Sequence, residues 1–524
     1  MLELPRNVAF LDIGTNSIRL LLVRINLNHS ITILTQQKEV VRLGEDEFLE
    51  QTLQPKAMQR AVLVCQKFWE MAQSRLADEI IAVATSATRE ASNQQDFIAM
   101  LKEKARIKVH TISGKEEARL IYLGVSSGLH LGDQNALFID IGGGSTELAI
   151  GNQQQYLLLD SLRLGAIRLA STTQQHNPNG VVDAEQYALI CNTVRAQVVR
   201  AAQRFQPYQP TMAIGSSGTI INLAEISSRM FYKRRLQPDD VMTAAELKAT
   251  IQMLCSRDLE ERRLVPGINP ERADIIIPGA AILDVLMDEM HLPAITVSQR
   301  GLRDGLLVDY LARNNLQTTI DQLSVRERSV LQLARASMID EDHAEQVRFL
   351  ALQLFDSAAA LGLHHLDARQ RELLGYAAYL HDVGAFINYN NHHAHTYYLI
   401  HNSELLGFDQ SEISIMASAA FYHRKNLPAR KQAEFSDLNQ TDQEAVKVMG
   451  MFLRLSESLD RSHRSAVTKV SFLPVDEKAV ILEIEARRDD QLELWGVENH
   501  TEAFKKTFGV KLIVRQGFFS PMNP

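Results

Sequence analysis

The sequence predicts an α/β protein with two similar lobes, followed by an all-helical domain and a small α/β domain. Three observations predict this organisation. One short motif occurs twice: residues 10–22 read FLDIGTNSIRLLL and residues 138–150 read FIDIGGGSTELAI, matching without a gap at six of thirteen positions. Strand and helix patterns alternate from residue 8 to about residue 312. Between about residues 325 and 462, the apolar spacing is typical of amphipathic helices.

The first lobe is predicted over residues 1–133. Short apolar runs there favour strands, and longer segments with helical apolar spacing favour helices. Pro55 suits the first turn of one of these helices. The predicted strands are Val8–Asp12, Ile18–Ile25, Ile31–Leu34, Ile80–Ala84 and Val109–Ile112, and the predicted helices are Pro55–Leu76, Gln94–Ala105 and Lys115–Leu129.

The second lobe is predicted over residues 134–315, the helical domain over 316–465 and the small α/β domain over 466–524. A polar segment at residues 312–322 predicts a linker. The predicted strands are Leu137–Ile141, Thr146–Ile150, Tyr156–Leu162, Val467–Phe472, Ala479–Ala486 and Lys511–Arg515. Helices are predicted at Ala184–Phe205 and Asn499–Phe508, and a strand, a turn and a helix at Thr211–Glu225.

The composition is that of an ordinary globular protein, with 45% hydrophobic and 23% charged residues. The net charge of −8 argues against nucleic-acid binding. No apolar run approaches the ~18 residues of a membrane-spanning helix, and the N-terminus lacks the pattern of a signal peptide. The three cysteines, Cys65, Cys191 and Cys255, are far apart and suit a reducing compartment. We therefore expect a cytoplasmic protein without stable membrane insertion.

Each copy of the repeated motif combines an apolar strand, an Asp, a glycine-containing turn with a hydroxyl, and a second strand. This pattern predicts a β-hairpin whose turn presents backbone N–H groups to an anion. An ordinary hairpin explains either copy alone, but two gapless copies favour facing lobes with a polyphosphate-like ligand and a metal between them. The candidate phosphate-binding residues are Asp12, Gly14, Thr15, Asn16 and Ser17 in the first copy, and Gly142, Gly143, Gly144, Ser145 and Thr146 in the second.

Two carboxylates of the second copy are candidate Mg²⁺ ligands. Asp140 and Glu147 lie seven residues apart across the turn. This spacing can bring both carboxylates to the same end of a hairpin. Mg²⁺ prefers oxygen ligands of this kind. For Glu147 the alternative is an ordinary solvated strand residue.

Two further turns join a strand to a helix. Gly215, Ser216, Ser217, Gly218 and Thr219 follow an apolar strand and open a helix, whose N-terminus attracts anions. Many strand-to-helix loops look similar, so this signal is weak by itself. The other turn ends at Arg89, whose guanidinium can pair with phosphate as a planar fork or form a surface salt bridge.

One helix start offers a candidate general base. Ser113 and Glu116 fit the capping box S-x-x-E, which gives Glu116 a structural role. The next residue, Glu117, is free to point elsewhere, and a positioned carboxylate can activate a water molecule for attack on a phosphoryl group. Arg119 fits either a phosphate contact or a charge on the helix face.

These features together resemble the exopolyphosphatase/guanosine pentaphosphate phosphohydrolase family. The resemblance rests on FLDIGTNSIRL, AVATSATREA, ISGKEEARLIYLGV, FIDIGGGSTEL, AIGSSGTI and VSQRGLRDGLL, in that order over residues 8–308. It implies two actin-like (ribonuclease H-like) lobes, as in acetate and sugar kinases, actin and heat-shock chaperones. It implies Glu117 as general base, Mg²⁺ on Asp140 and Glu147, and phosphate binding by the glycine-containing turns and Arg89. A homodimer is expected on the same ground.

A second set of candidate metal ligands lies in the helical region. His343, the dipeptide His381-Asp382 and Asp460 follow the order His…His-Asp…Asp, and the region resembles HD-type metal phosphohydrolases. Imidazole and carboxylate ligands suit a transition metal such as Mn²⁺, Fe²⁺, Zn²⁺ or Ni²⁺. Four more histidines, His392, His393, His395 and His423, can add ligands or phosphate contacts. The alternative is a relic domain that has kept these residues without binding metal.

The sequence therefore predicts an enzyme that uses Mg²⁺ to hydrolyse terminal phosphoanhydride bonds of inorganic polyphosphate, releasing orthophosphate. The main alternative substrate is pppGpp, which the same chemistry converts to ppGpp. A kinase, a sensor that binds polyphosphate or a nucleotide without turnover, and an HD-domain phosphohydrolase are further alternatives.

Overall fold

The computed structural model describes residues 4–45, 47–129, 131, 134–173, 180–314, 324–403, 405–424, 432–476, 478–487 and 491–517. The chain forms two compact units, Met1–Asp321 (unit 1) and Gln322–Pro524 (unit 2). Within the described residues, no helix combines the length and the apolar character that crossing a membrane requires.

Unit 1 contains both copies of the repeated motif. Its strands are β1 (Arg6–Ile13), β2 (Ser17–Ile25), β3 (Ile31–Val40), β4 (Glu79–Ala84), β5 (Val109–Thr111), β6 (Ala136–Ile141), β7 (Thr146–Gly151), β8 (Tyr156–Leu162), β9 (Met212–Ser216), β10 (Val241–Thr243) and β11 (Ala294–Val297). Its helices are α1 (Glu47–Glu50), α2 (Pro55–Ser74), α3 (Ser86–Glu90), α4 (Gln94–Lys104), α5 (Gly114–Ser126), α6 (Ala166–Thr173), α7 (Ala184–Phe205), α8 (Ser217–Phe231), α9 (Ala244–Cys255), α10 (Leu259–Arg263), α11 (Ile276–Glu289) and α12 (Leu302–Arg313).

The strands of unit 1 form two sheets with one topology. The first has the order β3-β2-β1-β4-β5, and the second has the order β10-β11-β9-β6-β7-β8. In each sheet the motif hairpin is antiparallel, and its first strand pairs on the other side with a parallel strand. The sequence repeat is therefore a structural repeat of two α/β lobes, with β10 as an added edge strand in the second.

The central strands form because they are apolar on both faces. Seven of the eight residues of β1 are buried, as expected for a strand covered on both sides. Separate apolar cores lie in the two lobes, and a third core contains residues of both motif hairpins together with helices α5 and α12. Because α5 begins beside the cleft described below, this packing positions the residues of its first turn.

Unit 2 is helical with a small sheet, as predicted. Its helices are α13 (Val325–Ala336), α14 (Glu341–Ala360), α15 (Ala368–Tyr379), α16 (His392–Asn402), α17 (Gln410–Phe421), α18 (Ala433–Ser436), α19 (Gln440–Leu459), α20 (Gln491–Glu498) and α21 (Thr501–Phe508), and its strands are β12 (Val467–Asp476), β13 (Ala479–Ala486) and β14 (Lys511–Gln516). The helices and the sheet share one apolar core.

Several predicted boundaries differ from the structure. Strand β3 extends six residues past the predicted end at Leu34, as a largely exposed strand that pairs only with β2. Ala312 and Arg313, predicted as linker, belong to α12, while residues 315–323 lie outside the described part of the chain. Residues 132 and 133 of the predicted interlobe loop also lie outside it.

Candidate active site

The turns of the two motif hairpins form a cleft within unit 1. Each turn closes with the same bond: the Gly14 N–H donates to the Ser17 carbonyl at 3.1 Å, and the Gly142 N–H donates to the Ser145 carbonyl at 3.0 Å. The cleft is lined by Asp12, Gly14, Thr15, Asn16, Ser17, Arg19, Thr85, Glu117, Ile121, Asp140, Ile141, Gly142, Gly143, Gly144, Ser145, Ser217, Gly218, Arg272 and Leu302. Most of the residues predicted to bind phosphate therefore meet in one place.

The glycines of the second turn allow the two turns to approach each other closely. A Cβ added at Gly143 would lie 3.0 Å from the Cβ of Thr15, and one added at Gly144 would lie 3.0 Å from the Thr15 hydroxyl oxygen. A side chain at either position would therefore push the turns apart. The backbone between Asp140 and Ser145 is left accessible to an anion.

Four carboxylates lie in or behind the cleft: Asp12, Glu117 and Glu147 are buried, and Asp140 is half-buried. Asp140 and Glu147 are direct cross-strand neighbours on β6 and β7, which puts both side chains on the same face of the sheet. The Ser216 hydroxyl donates to Asp140 at 2.6 Å, and the Ser161 hydroxyl donates to Glu147 at 2.8 Å. Asp140 lines the cleft, while Glu147 lies behind it and is 2% exposed.

Burial raises the pKa of all four carboxyls. The pKa of Asp12 rises to about 6, with repulsion from Asp140 adding to the desolvation and Arg19 opposing it. The pKa of Asp140 is raised, and that of Glu147 is raised well above its usual value because Glu117 and Asp140 repel its charge in addition to the burial. Negative charges held this close in a buried site favour a bound cation.

Glu117 lies in the first turn of α5, as the sequence predicted. The Ser113 hydroxyl caps the helix by accepting from the Glu116 N–H at 3.2 Å. Arg89 donates to the Glu117 carboxylate and to the Ile112 carbonyl, both at 3.0 Å. Burial raises the pKa of Glu117 to about 7, although Arg89 opposes this shift.

The structure corrects one detail of the predicted helix start and shows the partners of two arginines whose roles the sequence left open. Glu116 does not complete the capping box, because its carboxylate accepts two bonds from Arg119. Arg119 also donates to Asp309 of α12, so Arg119 is a charge on the helix face and does not line the cleft. Arg89 is paired with Glu117 and does not line the cleft either.

The remaining predicted phosphate-binding residues divide into lining and supporting positions. Ser217 and Gly218 line the cleft, whereas Gly215, Ser216 and Thr219 lie behind it. Thr146 was predicted to bind phosphate. Its hydroxyl is instead fully buried and donates to the Leu164 carbonyl at 2.5 Å. That bond ties β7 to the chain after β8 and leaves no free hydroxyl for a ligand.

Two residues on the cleft wall carry polar groups that form no hydrogen bond with the described residues. Both side-chain polar atoms of Asn16 and the hydroxyl of Ser217 are buried without a hydrogen-bond partner among the described residues. Ser217 also has a φ of 86°, a strained value for a residue with a Cβ. Unpaired buried polar groups and local backbone strain are typical of ligand-binding sites.

Sequence reasoning missed two arginines at this site. Arg272 lines the cleft, and burial together with the neighbouring Arg19 lowers its pKa to about 10. Arg168 donates to the Gly144 carbonyl at 2.7 Å and pairs with Glu90 at 2.8 Å, which holds the second turn in place. Neither arginine lies in a local motif, so only the fold brings them to the cleft.

The second predicted metal set lies in unit 2, and the structure assembles most of it. His343, His381 and Asp382 place one ligand atom each within 4.8 Å of one another, and so do Asp382, His392 and His423. Asp460, predicted as a ligand, instead accepts from His343 Nδ1 at 2.8 Å and from the Ser465 N–H at 2.8 Å. His393 and His395 belong to neither group.

Comparison with known proteins identifies the family. The chain matches the family model of the Ppx/GppA phosphatase family over residues 22–314 and that of Ppx/GppA phosphatase, domain III, over residues 325–501.

Three solved structures resemble the chain. An exopolyphosphatase from Cytophaga hutchinsonii is 28% identical with a TM-score of 0.55, over 59% of this chain and 98% of that one. An exopolyphosphatase-like protein is 26% identical with a TM-score of 0.54, over 59% and 99% of the two chains. The Aquifex aeolicus member of the Ppx/GppA family shares the fold at 24% identity and a TM-score of 0.50, over 59% and 99%. The predicted actin-like lobes and helical C-terminal region are confirmed, and the chain belongs to the Ppx/GppA phosphatase family.

Proposed function

We propose that this protein hydrolyses the terminal phosphoanhydride bond of inorganic polyphosphate and releases orthophosphate. One observation carries the proposal: two matching hairpin turns face a single cleft that also holds buried carboxylates. Turns of this kind offer backbone N–H groups to phosphate oxygens. The carboxylates repel a bare polyanion, so this cleft suits a polyphosphate that enters together with a cation.

The residues present fit Mg²⁺. Asp140 and Glu147 are cross-strand neighbours, each held by a serine hydroxyl, and Mg²⁺ in proteins usually takes one or two carboxylates and keeps several waters. Burial raises the pKa of both groups, and repulsion from Glu117 and Asp140 raises that of Glu147 further. A bound cation would therefore reduce the free-energy cost of burying these charges. When bound, Mg²⁺ would neutralise charge on the phosphates.

Glu117 is the proposed general base. Its pKa of about 7 is close to neutral pH, where a base can be ionised yet still accept a proton readily. A water molecule loses its proton to the Glu117 carboxylate while its oxygen bonds to the terminal phosphorus. The bond from that phosphorus to the bridging oxygen breaks, and the products are orthophosphate and a chain shorter by one phosphate.

The cleft also offers cationic and polar groups to the rest of the chain. Arg19 and Arg272 line its wall, and the unpaired polar atoms of Asn16 and Ser217 are available for phosphate oxygens. Charge-assisted bonds from arginine to phosphate are among the stronger hydrogen bonds in proteins. These groups bind and orient the substrate, while Glu117 performs the proton transfer.

A second candidate substrate, pppGpp, is favoured by an adjoining cavity. This cavity of about 390 Å³ shares Arg19, Gly218 and Arg272 with the cleft and is also lined by Lys38 and Arg303. Burial and the neighbouring arginines lower the pKa of Lys38 to about 8. The apolar side chains of Ile221 and Leu236 complete a wall that can accept a nucleoside as well as a phosphate chain.

The test is orthophosphate release by the purified protein with Mg²⁺, with long-chain polyphosphate and pppGpp offered in parallel. We expect release from polyphosphate, with a kcat/KM at least tenfold above that for pppGpp. Release from pppGpp alone would establish the second candidate. Tight binding of either compound without release would instead indicate a sensor, and phosphate transfer only in the presence of an acceptor would indicate a kinase.

A further inference from the structure

A lysine of the edge strand β3 lies among arginines at the wall of the cavity beside the cleft. Lys38 and Arg19 are direct cross-strand neighbours on β3 and β2, which puts both side chains on the same face of the sheet. Arg272, in the segment before α11, and Arg303, on α12, line the same cavity of about 390 Å³. Three arginines from three separate parts of the chain therefore meet one lysine in a single cavity.

The Lys38 amine has no bonded partner, unlike other lysines of unit 1. Lys248, for comparison, donates to an Asp288 carboxylate oxygen at 2.9 Å. Within the part of the chain that the structure describes, no hydrogen bond or salt bridge holds the amine of Lys38, and the side chain is exposed. A reagent in solution can therefore reach this amine without displacing a partner.

Two carboxylates near Lys38 do not balance the positive charges of this cavity. Glu225 of α8 lines the cavity, but it accepts from Arg229 at 2.7 Å and from the Leu236 N–H at 2.8 Å. The carboxylate of Glu271 is exposed, and its charge acts on Lys38. The cavity wall therefore has a net positive charge, which attracts a phosphate group.

These surroundings also make the amine of Lys38 more nucleophilic near neutral pH. Its pKa is lowered to about 8, first by the loss of hydration at the cavity wall and then by the positive charges of Arg272 and Arg19. The charge of Glu271 opposes this shift. Because the pKa of an ordinary lysine is about 10.4, a larger fraction of the Lys38 amine is uncharged at pH 7 to 8.

We propose that Lys38 is a site of acylation by acyl phosphates, small compounds in which a carboxylic acid is joined to phosphate. The arginines bind the phosphate group through charge-assisted hydrogen bonds, and the apolar side chains of Ile221 and Leu236 offer a surface for a short acyl group. A reagent held beside the amine reacts at a high effective concentration. This modification needs only the cavity and does not rest on the proposed hydrolysis.

Acylation joins the lysine nitrogen to the acyl carbon. The lone pair of Nζ forms a bond to that carbon, the bond from the carbon to the phosphate oxygen breaks, and orthophosphate leaves with the electron pair. The nitrogen loses one proton to water, so the product is a neutral amide. Because the positive charge of Lys38 is then lost, the acylated cavity should bind phosphate compounds more weakly.

Acetylation of the full-length protein by acetyl phosphate tests the proposal. The protein is incubated with the reagent in the presence of chelator and digested, and the acetylated fraction of each lysine is followed by mass spectrometry. Lys67 of α2, which is also exposed, is the matched control. We expect Lys38 to react at least ~10-fold faster than Lys67, with a rate that saturates with the reagent and falls when pyrophosphate competes for the cavity.

A neutral reagent and one variant separate phosphate binding from the reactivity of the amine. With acetic anhydride, which has no phosphate group, the preference for Lys38 over Lys67 should be smaller and insensitive to pyrophosphate. Arg303→Gln should slow the reaction of Lys38 with acetyl phosphate about fivefold, with the rate at Lys67 and the far-ultraviolet circular dichroism unchanged. Equal rates at the two lysines with acetyl phosphate, or a rate at Lys38 that pyrophosphate does not lower, would overturn the proposal.

Discussion

At the scale of single residues, the neighbours Glu116 and Glu117 show how one helix start separates structure from chemistry. Glu116 is tied to Arg119 on the helix surface, whereas Glu117 is 7% exposed and lines the cleft. The capping motif indicated a structural role for Glu116, although its carboxylate is bound by Arg119 and does not complete the capping box. Arg272 gave no such signal, since long-range packing alone brings it to the cleft.

Asp140 should control stabilisation by Mg²⁺. Because burial raises the pKa of Asp140, and burial and repulsion together raise that of Glu147, a bound cation stabilises the folded state, by about 2.7 kcal/mol at a concentration of 100 Kd. We expect Mg²⁺ to raise the melting temperature of the wild type. In Asp140→Asn, most of this increase should be absent. Differential scanning calorimetry measures it, with Asp309→Asn, outside the cleft, as control. An equal Mg²⁺ effect in Asp140→Asn would contradict the assignment.

Glu117 should make stability depend on pH when metal is absent. Its pKa is about 7 in the folded protein and about 4.3 in an unfolded chain. The folded state therefore binds more protons between these values, and stability rises as pH falls from 8 to 5. Glu117→Gln lacks this contribution. The melting temperature of the variant minus that of the wild type should therefore be larger at pH 8 than at pH 5.

The expected difference is ~2 °C or more, which corresponds to about 1 kcal/mol. Thermal melts in chelator at both pH values measure it, with Glu116→Gln as the matched control, for which no such difference is expected. A pH-independent offset between Glu117→Gln and the wild type would show that Glu117 ionises normally in the folded protein.

At the scale of elements, the repeated motif was the most informative signal. It predicted both hairpins and their turns, because a buried strand, a glycine-containing turn and a second buried strand leave little choice of conformation. Strand β3 was predicted too short, since its residues TQQKEV lack an apolar pattern. The buried helix α11 continues through Pro278, which lies in its first turn, where a missing N–H costs nothing.

Close packing of α5 against α12 should be sensitive to a single methyl group. A Cβ at Gly305 would overlap the Leu120 carbonyl of α5, whereas one at Gly375 of α15 would lie 3.6 Å from Leu352, an ordinary contact. Both glycines are inside helices, where alanine is intrinsically better by ~1 kcal/mol. We expect Gly305→Ala to destabilise by about 1–3 kcal/mol and Gly375→Ala to be neutral or stabilising.

Denaturant unfolding of the two variants measures this difference. Because α5 carries Glu117, orthophosphate release should also fall in Gly305→Ala and remain unchanged in Gly375→Ala. Equal stability of the two variants would show that α12 can move away from α5 at no cost.

At the scale of the whole molecule, unit 1 has about the length that solved relatives match. The match to the Cytophaga hutchinsonii exopolyphosphatase covers 59% of this chain and 98% of that chain. Unit 1 spans 321 of the 524 residues. We therefore expect a fragment of residues 1–321 to fold and to release orthophosphate with a kcat within about tenfold of the full-length value.

Expression of this fragment, with its Glu117→Gln variant as control, tests the expectation. An aggregated fragment would show that unit 1 does not fold alone, and a folded fragment without activity would contradict the assignment of the activity to unit 1. The homodimer that the sequence resemblance suggested stays a prediction for the full-length chain.

The central claim is that the cleft of unit 1 activates water through Glu117 to cleave a phosphoanhydride bond. The most direct measurement is orthophosphate release from polyphosphate with Mg²⁺ in ¹⁸O-labelled water, for the wild type, Glu117→Gln and the neighbouring control Glu116→Gln. We expect one labelled oxygen in each phosphate released, at least a ~100-fold loss of turnover in Glu117→Gln, and near-normal turnover in Glu116→Gln. Undiminished turnover in Glu117→Gln would contradict the account.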